Sequence, residues 1–253
     1  MQKTRRMIVI LSLMLFPVTM NYLSPYLPID AAMHGIVAGS MITFACMLIA
    51  GTITGRAWCS WVCPMAGLSD ICLRINSKEV DGKKLGRLRN IIFIVWISFV
   101  LLFFILAGGI KGLNPLYFTE SGISVDAPVK FIVYYAILAT FFIITIKTGK
   151  RGACHSICWM TPFLVGGMKL GRALRLPQLH VQADEARCTN CRACNKACPM
   201  SIQVSEQVQN GDIRSTNCIL CGECVDACKR NVLAYKFGLV ESSRKEQKAV
   251  EKA

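Results

Sequence analysis

The chain has 253 residues, of which 53% are hydrophobic and 17% are charged, and its formal net charge is +14. Soluble domains usually carry about 25% charged residues, so this composition argues against an ordinary soluble protein. The basic excess lies beside apolar stretches, where it orients helices in a membrane, and we therefore expect contact with membrane lipid and no nucleic-acid partner.

Four apolar stretches predict membrane helices. They run through residues 7–23, 35–53, 90–107 and 129–146, and a bilayer span needs about 20 residues. Pro17 predicts a kink in the first stretch. The third stretch almost lacks the polar residues that a buried helix of a soluble protein shows at helical spacing. The sequence therefore predicts a mainly α membrane protein with a bundle of four transmembrane helices.

The basic residues predict the orientation of these helices. Lys and Arg precede the first stretch, lie between the second and third, and follow the fourth, whereas loop 24–34 has none and loop 108–128 has only Lys111. The positive-inside rule places both termini in the cytoplasm. The expected location is the cell inner (cytoplasmic) membrane, with several passes. No small-residue cleavage site follows residues 7–15, so this segment is interpreted as a retained helix.

An internal repeat contains two pairs of cysteines. The segment from Arg56 to Met65 aligns with the segment from Arg151 to Met160 at a constant offset of 95 residues. Each copy ends a hairpin of two apolar stretches at the same membrane face, which is typical of parallel repeats. Each copy also contains a CxxxC pair, and the four cysteines are Cys59, Cys63, Cys154 and Cys158.

Three interpretations of the paired loops stay open. Residues i and i+4 of a helix face the same way, so two pairs supply four thiolates, enough for a third [4Fe–4S] cluster. The alternatives are redox-active dithiols and structural cysteines without metal. Arg56 and Arg151 hold equivalent positions and would offset the cluster's negative charge, although anchoring at the cytoplasmic face explains them too.

Two further cysteine runs are typical of a ferredoxin that holds two [4Fe–4S] clusters. Each run has the spacing Cx2Cx2Cx3C, and in such proteins the fourth cysteine of a run binds the cluster of the other run. The first cluster is therefore assigned to Cys188, Cys191, Cys194 and Cys228. The second cluster is assigned to Cys218, Cys221, Cys224 and Cys198. Zinc is the alternative, but it does not explain two interleaved runs.

These patterns divide the chain into three parts. Residues 1–171 form the expected four-span membrane domain with two cytoplasmic CxxxC loops, and residues 172–240 form a small α+β ferredoxin-like domain for two clusters. Residues 241–253 are rich in Lys and Glu and are expected to form a polar tail.

The remaining candidate ligands carry weaker signals. Cys46 and Cys72 are expected to pack as small apolar side chains. No haem is expected, because His34, His155 and His180 are predicted at different depths and cannot ligate one haem from facing helices. No nucleotide-binding motif is present in the sequence.

Two CxxxC loops followed by two ferredoxin runs resemble a known family over about residues 1–235. This family comprises the membrane quinol dehydrogenase subunits of periplasmic nitrate reductase systems, and the C-terminal part of the nitrous-oxide reductase regulator family is similar. The sequence departs from the pattern at Trp159, where the second loop of the family has proline, and Lys229 replaces the proline that usually ends the second ferredoxin run.

The resemblance implies electron transfer between a membrane quinol or an extracytoplasmic partner and a cytoplasmic partner, such as a cytochrome, flavoprotein or ferredoxin. Whether the chain is a quinol dehydrogenase or an electron-transfer subunit of an oxidoreductase complex stays open. The alternative function is a redox-sensing or maturation factor. Tyr22, Tyr26, Asp30 and His34 are candidates for a quinol site at the outer face, or for interfacial anchors.

Overall fold

The computed structural model describes residues 1–119 and 121–240, so the predicted tail at 241–253 lies outside the described residues. The N-terminal helices and strands, in chain order, are α1 Gln2–Met14, α2 Phe16–Thr19, α3 Tyr26–Met33, β1 Ile36–Ala38, α4 Gly39–Thr54, α5 Trp58–Trp61, α6 Pro64–Cys72, α7 Gly82–Leu106, β2 Gly112–Asn114, α8 Pro128–Thr148, α9 Gly152–Ser156 and α10 Thr161–Ala173. The C-terminal elements are β3 Gln178–Ala183, α11 Ala193–Ala197, α12 Val204–Val208, α13 Glu223–Asp226 and β4 Leu233–Gly238.

Helices α7 and α8 are long and apolar enough to cross a membrane. They contain 25 and 21 residues, and only 11% of the apolar window of each is buried. The core helix of a soluble protein would be mostly buried, so these two helices present apolar surface that needs an apolar environment. The fold is mostly helical, and its two candidate membrane helices correspond to the third and fourth predicted stretches.

The first two predicted stretches form shorter helices. Helix α1 ends at Met14 and the chain continues into α2, whose first turn contains Pro17. The predicted kink is thus a break, since proline cannot donate the hydrogen bond that would continue α1. Helix α4 has 16 residues, which corresponds to about 24 Å of helix.

Two short helices follow the CxxxC segments and pack against the longer ones. Helix α6 lies antiparallel to α1, with Gly67 against the carbonyl of Val9, and α10 lies parallel to α4, with Gly167 against the carbonyl of Leu48. A Cβ atom at Gly167 would collide with that carbonyl. Small residues let the helix backbones approach closely, as is common between membrane helices. Helix α6 also contacts α8, so each repeat packs its short helix on the other repeat.

The C-terminal part forms a small α+β unit of the ferredoxin type. Strands β3 and β4 pair antiparallel, from Gln178 opposite Gly238 to Ala183 opposite Leu233. The short helices α11, α12 and α13 pack beside this hairpin around a core that includes Val181, Ile213 and Ile219.

The ferredoxin-like unit contacts the first CxxxC segment, whose side chains donate hydrogen bonds to carbonyl groups in the second ferredoxin run. Ser60 Oγ donates to Ile219 O at 2.6 Å, and Trp61 Nε1 donates to Leu220 O at 3.1 Å. From helix α1, Gln2 Nε2 donates to Cys221 O at 2.9 Å. The second ferredoxin run is therefore held against the end of the helical part where the CxxxC loops lie.

Candidate iron–sulfur centres

The first ferredoxin cavity brings together cysteines from both runs. Its volume is about 380 Å³. The cysteines that line it are Cys188, Cys191, Cys194 and Cys228. Cys228 comes from the second run, so the chain folds the two runs against each other as the predicted cross-ligation requires. Four thiols around one cavity fit a [4Fe–4S] cluster by number and by chemistry.

A second cavity collects the remaining ferredoxin cysteines, namely Cys198, Cys218, Cys221 and Cys224. The thiol of Cys198 accepts a hydrogen bond from the backbone N–H of Ile202 at 3.4 Å. Burial raises the pKa of Cys218 to about 11 and that of Cys221 to about 12. Near neutral pH these thiols therefore keep their protons until a metal displaces them, so cluster binding must release protons here.

A third cavity lies between the two CxxxC segments. It is lined by all four predicted cysteines of the repeat, Cys59, Cys63, Cys154 and Cys158. Gly55 and Gly149 end α4 and α8 with positive φ angles of 57° and 109° and turn the chain into these segments. A Cβ atom at Gly149 would collide with the carbonyl of Lys78, so this turn requires glycine.

Two helix N-termini begin beside the third cavity. Helix α6 begins at Pro64, directly after Cys63, and α10 begins at Thr161, with Pro162 in its first turn. Proline is favoured there because the first N–H groups of a helix have no partner within the helix. Pro162 therefore starts the second helix three residues after Trp159, which explains how the loop tolerates its departure from the family pattern. Both N-termini contribute partial positive charge.

Three buried arginines surround the third cavity. Arg56 and Arg151 line it, each about 1% exposed, and Arg89 of α7 is within electrostatic range of three of its cysteines. Within the described residues, Nε of each arginine and Nη1 of Arg89 are buried without a hydrogen-bond partner. Buried N–H groups of a cation are costly unless an anion compensates them. An all-thiolate cluster is such an anion, so the residues present fit this group.

The three cavities are neighbours. Met200 and Ile219 line both the second and the third cavity. The first cavity takes its fourth cysteine, Cys228, from the second run, and the second cavity takes Cys198 from the first run. These cysteines follow helices α13 and α11, which pack together. The order from the helical part outward is therefore the third cavity, the second and then the first.

The described residues show no preformed site for a single metal ion. Across residues 1–119 and 121–240, no group of three or more His, Cys, Asp or Glu side chains is arranged to hold one metal ion. A tetrahedral zinc site brings its ligands to about 2.0–2.3 Å from one point.

Other predicted side chains lie away from these cavities. Cys46 is exposed on α4, Cys72 is buried on α6, and neither lines a cysteine cavity. His155, which stands between Cys154 and Cys158 in the sequence, is buried but does not line the third cavity. His180 lies in β3 beside Asp212, with Nε2 and Oδ1 3.4 Å apart.

A polar cluster at the opposite end of the helices contains a residue that the sequence did not indicate. Tyr117 Oη donates to Asp30 Oδ2 at 2.8 Å and lies 3.5 Å from His34 Nδ1. Of the predicted outer residues, Asp30 and His34 meet here, whereas Tyr26 is 59% exposed and Tyr22 contacts the carbonyl of Gly122. Tyr117 lies 83 residues after His34 in the chain, and no local spacing signals the contact.

Together these features define an iron–sulfur protein of the ferredoxin type. Residues 187–233 match the family described as 4Fe-4S dicluster domain. Residues 37–80, which include the first CxxxC pair, match the family described as 4Fe-4S binding domain. No solved structure matches the chain.

Several curated proteins are similar to the chain over most of its length. An uncharacterized protein of Methanocaldococcus jannaschii is 24% identical over 83% of this chain and 76% of its own length. The ferredoxin-type protein NapH of Haemophilus influenzae is 26% identical over 82% of this chain and 71% of its own. The putative electron transport protein YccM of Escherichia coli is 24% identical over 80% of this chain but only 57% of its own length. The match to a ferredoxin-type protein, together with the two 4Fe-4S family matches, confirms the resemblance seen in the sequence.

Proposed function

We propose that the chain is a membrane-bound electron-transfer protein with three [4Fe–4S] clusters, two in the ferredoxin-like unit and one between the CxxxC loops. The observation that carries the proposal is the row of three cavities, each lined by four cysteines, in which Met200 and Ile219 separate the second from the third. Neighbouring clusters in such a row pass electrons from the helical part to the ferredoxin-like unit. In this role iron supplies the redox chemistry, and the chain sets the positions and the electrostatics.

The third cluster would lie within the apolar part of the protein. Ser12 of α1 hydrogen-bonds the carbonyl of Val62, next to Cys63. Trp159, next to Cys158, donates to Leu23 O at 2.7 Å. These contacts support a position of Cys63 and Cys158 level with the middle and far end of the first apolar stretch, whereas Arg5 donates to Ser60 O and keeps the start of the first segment near the start of α1. In this proposal the CxxxC segments begin at the cytoplasmic face, as the sequence predicts, their second cysteines reach into the apolar layer, and α6 and α10 return to the cytoplasmic side.

The proposed topology has four spans with both termini in the cytoplasm. The first span joins α1 and α2, the second is α4, and α7 and α8 are the third and fourth. Residues 1–171 form the membrane domain and 172–240 the ferredoxin-like domain. A reporter that works only in the cytoplasm is expected to be active when it is fused after Ala253. A reporter that works only outside the cytoplasm is expected to be active when it is inserted near Gly122. An extracytoplasmic C-terminus would overturn this topology.

The polar cluster at the outer end is the proposed place of quinol oxidation. Oxidation of a quinol releases two electrons and two protons, so the site needs a proton acceptor. Asp30 is held by Tyr117 at 2.8 Å and has a carboxylate for this role, and His34 adjoins it. A redox protein on the extracytoplasmic side is the other source of electrons. A cytoplasmic ferredoxin, cytochrome or flavoprotein would exchange electrons at the first cluster, whose cysteine Cys191 is exposed.

The deciding experiment counts iron and sulfide in the reconstituted protein. Three clusters require about 12 iron atoms per chain and two require about eight. Replacing the four cysteines of the third cavity by serine should remove about four iron atoms. The matched control, Cys46→Ser with Cys72→Ser, should remove none. A wild-type count near eight, unchanged in the four-serine variant, would leave the dithiol or structural interpretation of these cysteines.

Rates of reduction separate electron transfer from the alternative of redox sensing or maturation. An electron carrier should reduce and reoxidise its clusters rapidly when a quinol analogue or a ferredoxin is added. A sensor would respond slowly or by losing its clusters. Redox titration followed by electron paramagnetic resonance measures both.

A further inference from the structure

A cavity at the junction of the two domains is separate from the cysteine cavities. It has a volume of about 440 Å³ and lies between α1, α6 and the ferredoxin-like unit. We call it the junction cavity. Its lining includes five cationic side chains, Arg5, Arg6, Arg74, Lys150 and Lys196. Only two carboxylates line it, Asp70 and Glu223, so the lining carries a net positive charge.

The two carboxylates are already neutralised. Asp70 lies 2.9 Å from Arg5 and 2.6 Å from Arg151, and Glu223 lies 3.0 Å from Arg5 and 3.3 Å from Arg6. Arg5 and Arg6 are thus partly compensated by protein carboxylates.

The other three cations of the junction cavity, Arg74, Lys150 and Lys196, are not neutralised by a close carboxylate among the described residues. Within residues 1–119 and 121–240, the side chains of Arg74 and Lys196 have neither a hydrogen bond nor an ion pair. Lys150 is 8% exposed and donates to Lys196 O at 3.0 Å, and its nearest carboxylate oxygen, of Glu79, lies 3.8 Å away. The cavity therefore favours an anion.

The opposite side of the cavity is apolar. Val9, Ile10, Ile71 and Leu73 line it, and Ile10 and Ile71 are 47% and 48% exposed on the outer faces of α1 and α6. A free phosphate ion would gain nothing from contact with these apolar side chains. A phospholipid has both a phosphate for the cations and acyl chains for Ile10 and Ile71.

We propose that the junction cavity binds the phosphate headgroup of an anionic phospholipid from the cytoplasmic leaflet. Basic pockets between membrane helices on this side are suited to such headgroups. The bound lipid would join α1 and α6 to Lys196 and Pro199 of the ferredoxin-like unit, and so would help hold that unit at the membrane. This inference rests on the proposed membrane placement of the chain, but not on the number of clusters or on electron transfer.

The test uses the full chain, purified with its clusters in mild detergent and stripped of lipid. Binding of phosphatidylglycerol, phosphatidylcholine and inorganic phosphate is measured by native mass spectrometry and by competition with a fluorescent phosphatidylglycerol. We expect saturable binding of phosphatidylglycerol, little binding of phosphatidylcholine, and no displacement by millimolar phosphate. The double variant Arg74→Gln, Lys196→Gln should bind phosphatidylglycerol about 25-fold more weakly, since each cation near the surface contributes about fivefold.

The matched control is Lys83→Gln with Lys84→Gln, which removes the same charge from exposed positions at the start of α7. It should change binding less than twofold, and unchanged visible absorbance of the clusters shows that each variant is folded. Equal binding of both lipids, equal loss in both double variants, or displacement by inorganic phosphate would each overturn the proposal. Extraction of the wild-type chain from cell membranes with and without detergent tests the membrane placement separately.

Discussion

Asp70 links two buried arginines, and its removal is expected to destabilise the cysteine loops. Its Oδ2 lies 2.9 Å from Arg5 Nη1 and its Oδ1 lies 2.6 Å from Arg151 Nη2, and the two arginine side chains are 2% and 1% exposed. Breaking a buried ion pair by removing one partner costs about 3–5 kcal/mol, because a buried charge is left uncompensated. Arg5 keeps Glu223 at 3.0 Å, so we expect about 3 kcal/mol for Asp70→Asn.

The consequence should reach the third cavity, because Arg151 also donates to Cys59 O at 3.0 Å. The assay is thermal unfolding of the detergent-solubilised protein, followed by loss of cluster absorbance. A loss of 3 kcal/mol lowers the Tm of a chain of this size by about 6–12 °C.

Glu79→Gln is the control, since Glu79 is 53% exposed and lies 3.8 Å from Lys150. Exposed pairs contribute only about 0–1 kcal/mol, so the control should shift Tm by about 4 °C or less. If Asp70→Asn lowers Tm by no more than Glu79→Gln does, the ion pairs of Asp70 do not stabilise the CxxxC segments, and the electrostatic reasoning is refuted.

Three further predictions concern the redox sites. Cys198→Ser should alter the electron paramagnetic resonance signal of the second cluster and spare the first; a change in the first instead would show that the cross-ligation is wrong. Arg89→Met should lower the reduction potential of the proposed third cluster by tens of millivolts, since it removes a buried positive charge worth on the order of 1 kcal/mol near three of its cysteines, whereas exposed Arg87→Met should shift it far less; equal shifts would contradict the placement. Tyr117→Phe should slow reduction by quinol without changing reduction by dithionite, and exposed Tyr135→Phe is its control; equal rates in all three proteins would remove the outer site.

The sequence predicted the long helices well because their apolar composition is a local property. Predicted stretch 129–146 lies inside α8, and stretch 90–107 extends one residue beyond the end of α7 at Leu106. Helix α7 begins eight residues earlier, since Asp81 caps it by accepting hydrogen bonds from the N–H groups of Lys83 and Lys84. The short helices α6 and α10 were not predicted. Their amphipathic sequences do not reveal that they pack on α1 and α4.

The cysteines of the candidate sites were found from spacing alone, whereas their partners were not. A CxxC or CxxxC pattern places thiols together through local chain geometry, so it is visible in the sequence. Arg89 precedes Cys154 by 65 residues, and Tyr117 lies 87 residues from Asp30. Contacts of this kind depend on how helices pack. Arg89 is one of seven basic residues between the second and third apolar stretches, and nothing in the sequence distinguishes it from the other six.

A cluster in the third cavity, as proposed, would explain why the surroundings of this cavity are so strongly basic. A cluster with four thiolates is an anion, and in an apolar layer its charge is costly unless fixed positive groups lie close by. Two helix N-termini and the buried cations Arg56, Arg89 and Arg151 are in place for this. Arg151 is paired with Asp70, but Nε of all three arginines and Nη1 of Arg89 lack hydrogen-bond partners among the described residues, and an anion in the cavity would compensate them. The proposed third cluster would supply an anion for these cations, which favours it over the dithiol and the purely structural interpretations of the cysteines.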